Sequence, residues 1–284
     1  MNVFEGLKRS RAFRREETAL RFENATLTYE SLYHQALRIA HALKKEGVGR
    51  GDKVCLFLPN VPEFVMSYYA VAAVGGVVVS INVMNKRDEV SYIVNDCGAK
   101  ALITSEEILD QIPDKGEAGK LQVIYSVGKS DLLPSGVRPF DKLLEDDLTL
   151  PYLENMDSSD PLAILYTSGT TGKAKGAVLT HGNVISNVYA TNHHARMAPS
   201  DALICYLPLF HCFGQNFIMN SAINAGARLI LHRRFDPEEI FPSLVENKVS
   251  MFFGVPTVFN RLLQIKDLER RFNDTRYFFS AAAT

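Results

Sequence analysis

The chain has 284 residues, 46% hydrophobic and 22% charged, with a formal net charge of -1. That composition excludes an intrinsically disordered chain and gives no basic field for nucleic acid. A closed fold of this mass buries roughly three-quarters of its unfolded surface, so a substantial core needs neither disulfides nor structural metal.

Met1 to Lys8 carries Glu5 and no apolar signal core, so secretion is not expected. The run Arg9, Arg11, Arg14, Arg15 is offset by Glu16-Glu17 and reads as a solvated charged face. Ala19–Phe22 and Ala25–Leu27 flank Glu23-Asn24 as a hairpin. Thr28 caps a helix carrying Leu32, Ala36, Ile39 and Leu43 at helical spacing, and Gly47 ends it. His34 and His41 lie on this helix beside polar neighbours and read as solvated. Gly47-Val48-Gly49-Arg50-Gly51 follows a helix and precedes a strand, the wrong order for a dinucleotide fingerprint, and reads as a turn.

Val54–Leu58 is a short strand closed by Pro59. Phe64–Asn85 contains no charged residue, long enough to raise a transmembrane reading. Gly75-Gly76 splits it into a helix over Pro62–Val74 and a strand over Val77–Ile81, so no transmembrane segment is expected. A helix over Asp88–Asp96 and strands over Ala101–Thr104 and Leu121–Tyr125 follow. Residues 127–160 are polar and rich in Asp, Pro and Ser, and read as surface connection. Leu162–Tyr166 is a buried strand, then come a Gly/Thr/Lys loop, Ala177–Leu179 and a helix from Gly182. His193-His194 is assigned to a surface loop.

Further strands are expected over Ala202–Leu207, Arg228–Leu231, Val249–Phe253 and Arg276–Phe279. Helices are expected over Gln215–Asn224, Pro237–Asn247 and Pro256–Gln264. Short apolar strands alternating with helices imply α/β layers with mainly parallel sheets. Cys55, Cys97, Cys205 and Cys212 form no C-x-x-C pair and read as reduced thiols, which points to a cytoplasmic location.

The most informative segment is Tyr166-Thr167-Ser168-Gly169-Thr170-Thr171-Gly172-Lys173-Ala174-Lys175-Gly176. Its glycines allow backbone N–H groups to approach an oxyanion, its hydroxyls donate, and its lysines add mobile positive charge. Composition alone leaves it open between a surface turn and a polyphosphate-binding loop. It is not a Walker A loop, because Ala174 stands five after Gly169, and it lacks the G-x-G-x-x-G spacing.

The residue order of this segment resembles the phosphate-binding signature of the adenylate-forming superfamily. That group includes acyl-CoA synthetases, peptide-synthetase adenylation domains and beetle luciferases. Ala174 stands where the family usually has proline. Leu27-Thr28-Tyr29, Gly51-Asp52-Lys53-Val54, Leu58-Pro59-Asn60, Leu207–Gly214 and Gly254-Val255-Pro256-Thr257 resemble further family segments. Ser280–Ala283 matches the place of its adenine-contacting loop, often glycine-rich.

The resemblance implies a two-step reaction. ATP and a carboxylate give an acyl-adenylate and pyrophosphate, and the coenzyme A thiol then displaces AMP. It implies that Ser168, Gly169, Thr170, Thr171, Gly172, Lys173 and Lys175 hold the phosphates, with Lys175 a catalytic candidate. Thr167 is implied as a hydroxyl near Mg²⁺, and Ala281, Ala282 and Ala283 as adenine-proximal. His211 is implied to contact the substrate carboxylate or α-phosphate. Phe213, Asn216, Phe217, Gly254 and Val255 are candidates for the acyl pocket, and each is equally readable as ordinary core. The space left by the missing Gly254 side chain favours it among these.

Amino-acid-activating relatives usually carry an aspartate after the His-x-x-Gly turn. No acid occurs from His211 to Ala227, and a buried ammonium without a carboxylate partner is costly. An acid lacking an α-amine is therefore expected, with a fatty acid as first choice. The final acceptor stays open between coenzyme A, a carrier-protein thiol and a luciferase-like oxygen step. A non-catalytic nucleotide-binding fragment is the third class.

The family's downstream motifs are not found. The resemblance therefore implies two α/β subdomains: 46–195 with the phosphate loop, and 1–45 plus 200–284 with the acyl and adenine pocket. The β-barrel and C-terminal lid are expected to be largely absent. The chain is read as about half of an enzyme that it cannot complete alone, with self-association through uncovered apolar surface.

Overall fold

The computed structural model describes residues 2–114, 116–129, 132–145, 154–167, 173–265 and 268–282. In chain order the elements begin with α1 (Phe4–Arg14), β1 (Thr18–Phe22), β2 (Ala25–Thr28), α2 (Tyr29–Lys45), β3 (Lys53–Phe57), α3 (Pro62–Ala73), β4 (Val77–Ser80) and α4 (Arg87–Cys97). Then follow β5 (Ala101–Ser105), β6 (Val123–Val127), β7 (Val137–Pro139), β8 (Pro161–Thr167), β9 (Lys175–Thr180) and α5 (His181–His194). The chain continues with β10 (Ala202–Cys205), α6 (Ser221–Ala225), β11 (Arg228–Leu231), α7 (Pro237–Glu246), β12 (Met251–Gly254), α8 (Pro256–Leu262) and β13 (Tyr277–Ser280).

These elements form two compact units. The first comprises Met1–Glu5, Tyr33–Pro59 and Glu63–Ile185; the second comprises Gly6–Leu32, Asn60–Pro62 and Ser186–Thr284. The units depart from the expected boundaries at residues 1–5, 60–62 and 186–195 and, most extensively, at α2, whose residues from Tyr33 onward belong to the first unit. The reason is the far end of the helix: Ala42, Lys45 and Glu46 share a recess with Tyr125 and Arg138, and Glu46 pairs with Arg138 at 2.6 Å.

The first unit is built on a sheet of order β7-β6-β5-β3-β4-β8-β9, parallel except for the β8–β9 pair. Val54 pairs with Val78 on one side and Ala101 on the other, so β3 is central and its side chains are apolar on both faces. α3 is buried from Phe64 to Ala73, and Gly75 turns the chain at φ +74° into the fully buried β4. The uncharged run is thus a core helix, a turn and a strand. No described helix is long and apolar enough to cross a membrane.

The second unit is built on a sheet of order β13-β12-β10-β11-β1-β2, with only β1–β2 antiparallel. The expected hairpin is present, with Glu23 at φ +50° in its turn. Thr28 Oγ1 accepts from the Ser31 N–H at 3.1 Å and so caps α2. All thirteen described strands fall in these two parallel-dominated sheets.

Three segments depart from the sequence expectation. The arginine run lies on α1 and the turn after it, and it is not merely solvated: Arg11 and Arg15 both grip Glu30, at 2.5 and 2.8 Å. Only Phe4, Leu7 and Ser10 of α1 turn inward, too few apolar positions to announce a helix. Residues 127–160 include β7, which extends the sheet beside β6, and a short 3₁₀ turn at Phe140–Leu143 whose two ends are buried. His193 and His194 are exposed, as expected, but they end α5 and do not sit in a loop. No described group of three or more His, Cys, Asp or Glu forms a metal site.

His181 opens α5 and is fully buried, with Nδ1 accepting from the Val3 N–H at 3.1 Å. Burial, foremost, pushes its imidazole down to about 4. The unfolded chain then binds more protons than the folded one below about pH 6.5. Stability is complete above that value and is lost as pH falls toward 4, by about 3 kcal/mol. Urea midpoints between pH 4 and 7 should show this slope, and His181→Asn, which keeps an acceptor for Val3, should flatten it.

Candidate functional site

The phosphate-loop candidate sits on the β8–β9 hairpin of the first unit. Thr167 and Lys175 are direct cross-strand partners at its mouth, and both are exposed. This register brings the magnesium-proximal candidate and the catalytic-lysine candidate together. Lys173 Nζ lies over the Tyr92 ring, 5.7 Å from its centroid. Ser168, Gly169, Thr170, Thr171 and Gly172 lie outside the described residues. Gly176 pairs with Tyr166, and a Cβ there would meet Ile164 at 2.7 Å and the Tyr166 ring at 3.2 Å. Glycine at this position therefore lets the Tyr166 ring lie across the hairpin.

The second unit carries the segment after β10. Asn60 organises it: its Nδ2 donates to the Leu207 and His232 carbonyls at 3.0 and 3.1 Å, and its Oδ1 accepts from the Leu209 N–H at 2.8 Å. The His211 N–H donates to the Pro208 carbonyl at 3.1 Å, and Gln215 Nε2 donates to the Leu209 carbonyl at 3.0 Å. A Cβ at Gly214 would collide with the Pro208 carbonyl oxygen. Gly214→Ala should cost about 2 kcal/mol, read as a lower urea midpoint, because the opposing atom is backbone and cannot rotate away. Asn60 entered the sequence reading only within the Leu58-Pro59-Asn60 resemblance. Its bridging role had no local signal, since its partners lie at 207, 209 and 232.

The expected helix over Gln215–Asn224 is present but opens as a π-helical segment, Phe213–Asn220, before α6. The wide turn starts beside His211, in keeping with the tendency of π-turns to occur at functional sites. His211 is exposed, and its Nδ1 accepts from the Phe213 N–H at 3.2 Å. In the neutral ring this leaves the proton on Nε2, ready to donate to an oxyanion. Cys212 Sγ, 3.8 Å from Nδ1, draws the imidazole pKa upward and burial draws it down, with the sulfur contact prevailing.

A recess of about 240 Å³ is lined by Leu207, Pro208, Phe210, His211, Phe213, Gly214, Val255 and Ala282. It brings together four sequence candidates: His211, Phe213, Val255 and Ala282. The others stand apart from it. Asn216 is buried and accepts from Asn220 Nδ2 at 3.2 Å. Phe217 packs edge-to-face on Phe213 and Phe253, at 5.4 and 5.7 Å between centroids. Gly254 does not leave ligand space: the site of its absent Cβ is filled by Phe259 and the Tyr206 hydroxyl, each at 3.0 Å. Ala281 donates its N–H to the Gly254 carbonyl at 3.2 Å. Ala282 adopts φ +65°, where an alanine is strained and glycine is not. Ala283 lies outside the described residues.

The family model "AMP-binding enzyme" matches residues 7–284. The chain belongs to the AMP-binding enzyme family. It is 28% identical to the long-chain-fatty-acid–CoA ligase of Bacillus subtilis (strain 168), covering 89% of the chain and 50% of that relative. It is 29% identical to 4-coumarate–CoA ligase 4 of Arabidopsis thaliana, covering 91% and 47%. Its fold matches the anthranilate CoA ligase AuaEII, solved in complex with anthranoyl-AMP, with a TM-score of 0.92, 25% identity, and coverage of 100% and 55%. This AMP-binding chain spans about half the length of the curated relatives it matches. Its two parallel-dominated sheets are those of the N-terminal adenylate-forming domain.

Proposed function

We propose that this chain contributes to an AMP-forming acyl-CoA synthetase that activates a carboxylic acid lacking an α-amine, with a fatty acid as first choice. The observation that carries the reading is the His211 recess. Its walls are otherwise apolar, it offers an imidazole, and no acidic side chain lines it. A carboxylate with an apolar tail suits it, whereas an α-ammonium would find no partner there. In the reaction so read, the carboxylate attacks the α-phosphorus of ATP and pyrophosphate leaves. The coenzyme A sulfur then attacks the acyl carbon and AMP departs.

The β8–β9 hairpin supplies the phosphate side. Lys175 and Lys173 are cations suited to the departing pyrophosphate, and Thr167 adds a hydroxyl. That donor set fits a magnesium ion carried chiefly by phosphate and water oxygens, with Thr167 as one protein oxygen. Magnesium would neutralise phosphate charge there. His211 supplies a donor to the carboxylate or α-phosphate, which orients the attack.

A second reading is an aryl acid. Phe213, Phe217, Phe253 and Phe279 form an aromatic cluster next to the recess, edge-to-face except for the tilted Phe217–Phe279 pair, the kind of surface a flat ring packs against. The small volume also favours a short or flat tail. Acid-dependent ATP–pyrophosphate exchange by the complete enzyme across palmitate, octanoate, 4-coumarate and benzoate separates the two readings. Thioester formation on adding coenzyme A distinguishes this acceptor from a carrier thiol. Exchange by the complete enzyme with none of these acids, or no calorimetric binding of ATP by the chain, removes the enzymatic reading and leaves a non-catalytic fragment.

In the complete enzyme His211→Ala should lower acid-dependent exchange by about 100-fold while ATP affinity changes little. Equal exchange in the variant refutes the role given to the imidazole. The four cysteines are free thiols, which supports a reducing, cytoplasmic setting. Self-association belongs to the same reading. β13 is the edge of its sheet and Phe278 is 49% exposed, so light scattering of a clean monomer counts against it.

A further inference from the structure

Helix α4 touches both arms of the phosphate hairpin. Tyr166 lies on the arm entering residues 168–172, and its hydroxyl donates to Asp96 Oδ2 at 2.5 Å. Ala174 lies on the arm leaving them, and its carbonyl accepts from the Tyr92 hydroxyl at 3.1 Å. The Tyr92 ring also carries the Lys173 ammonium at 5.7 Å. Tyr92 and Asp96 are four residues apart, hence one turn apart on a single face.

The helix is itself well fixed. Val90, Ile93 and Val94 are buried in the core. Its start is closed by Glu89 accepting the Lys86 N–H at 2.8 Å, and its end by Gly98 at φ +64°. A rigid element that holds both arms sets where Tyr166 and Ala174 stand relative to each other. None of these bonds is needed to pair β8 with β9, whose ladder is complete from Thr167–Lys175 to Pro161–Thr180 apart from one register shift.

We propose that Tyr92 and Asp96 are positioning residues for triphosphate binding, Asp96 through Tyr166 and Tyr92 through Ala174 and Lys173. This rests on the reading of residues 166–176 as phosphate-binding. The consequence is selective. The β- and γ-phosphates of ATP should sense the arms, whereas AMP lacks those groups.

The test is calorimetric titration of the chain with Mg-ATP and, separately, AMP. Tyr92→Phe keeps the ring and loses the hydroxyl, so the ATP Kd should rise about fivefold. Tyr92→Leu loses both contacts, and the Kd should rise about 10–30-fold. Asp96→Ala should weaken ATP by about fivefold, and Asp96→Asn, which keeps an acceptor for Tyr166, should recover most of that. AMP affinity should stay within about twofold throughout. If Tyr92→Leu does not fold, Tyr92→Phe and the Asp96 pair carry the test. Unchanged ATP affinity in Tyr92→Phe and Asp96→Ala, or a parallel loss for AMP, overturns the proposal. A wild-type chain that binds ATP no tighter than AMP overturns the phosphate-loop reading and this proposal with it. Silent variants in a chain that prefers ATP overturn only the role of α4.

Discussion

In the complete enzyme Lys175→Ala is expected to lower acid-dependent ATP–pyrophosphate exchange by about 100-fold or more, and in the chain alone to weaken ATP binding about tenfold. Lys175 is exposed at the hairpin mouth, directly across from Thr167. It forms no salt bridge with any described residue, so its charge is available to a ligand. An ammonium near the leaving pyrophosphate stabilises charge that grows as the bond to the α-phosphorus breaks. That is why the effect on exchange should exceed the effect on affinity. Lys175→Arg keeps the charge but not its compact shape, and should fall between the two. Stability should move by less than about 0.5 kcal/mol, because an exposed strand-end residue is being replaced. Wild-type exchange in Lys175→Ala would falsify the assignment.

The second large effect concerns stability. Arg276→Met should destabilise the second unit by about 3 kcal/mol. Arg276 reaches Asp201 through two nitrogens, at 3.2 and 2.7 Å, and the Ala195 and Arg196 carbonyls at 3.1 and 2.9 Å. Asp201 is nearly buried, with 5% of its side chain exposed. It also accepts from Ser250 Oγ at 2.7 Å and the Ala198 N–H at 2.8 Å. The pair thus ties the end of α5 to the starts of β10, β12 and β13. Burial pushes the Asp201 carboxyl up, but the Arg276 guanidinium and the two further donors outweigh it and hold it below the usual carboxylate range. Its stabilisation is present above the unfolded value of about 3.9 and is lost as pH falls through the lowered one. Removing Arg276 strands a charge in a dry site. Adding Asp201→Asn should therefore recover about 1–2 kcal/mol of urea stability, and a double variant no better than Arg276→Met refutes the account.

Much of the fold was legible in sequence because its elements announce themselves locally. α2 carries a cap, a 3.6-residue apolar spacing and a terminal glycine, and the structure shows all three. The parallel strands are short, largely apolar runs, as buried parallel strands must be. α1 was missed because only Phe4, Leu7 and Ser10 face inward, and what holds Arg11 is Glu30, outside the helix. β7 was missed because a three-residue strand ending in proline has no periodicity to read.

The site divides along the same line. The order of residues from Tyr166 to Gly176 needed no coordinates to suggest phosphate chemistry: donor type and backbone freedom left a surface turn equally open, and the resemblance of that order to a family signature pointed to phosphate. The absence of an acid after His211 was equally readable. Which candidates share a surface was not, because that depends on contacts between residues distant in the chain. His211, Phe213, Val255 and Ala282 converge on one recess, while Gly254 serves Tyr206 and Phe259 instead. Asn60 binds the turn at 207–209 across 147 residues or more, and Tyr92 and Asp96 reach the β8–β9 hairpin across 82 and 70. Such bonds are fixed only when the sheets assemble, since strand register and helix packing set distances that no local pattern encodes.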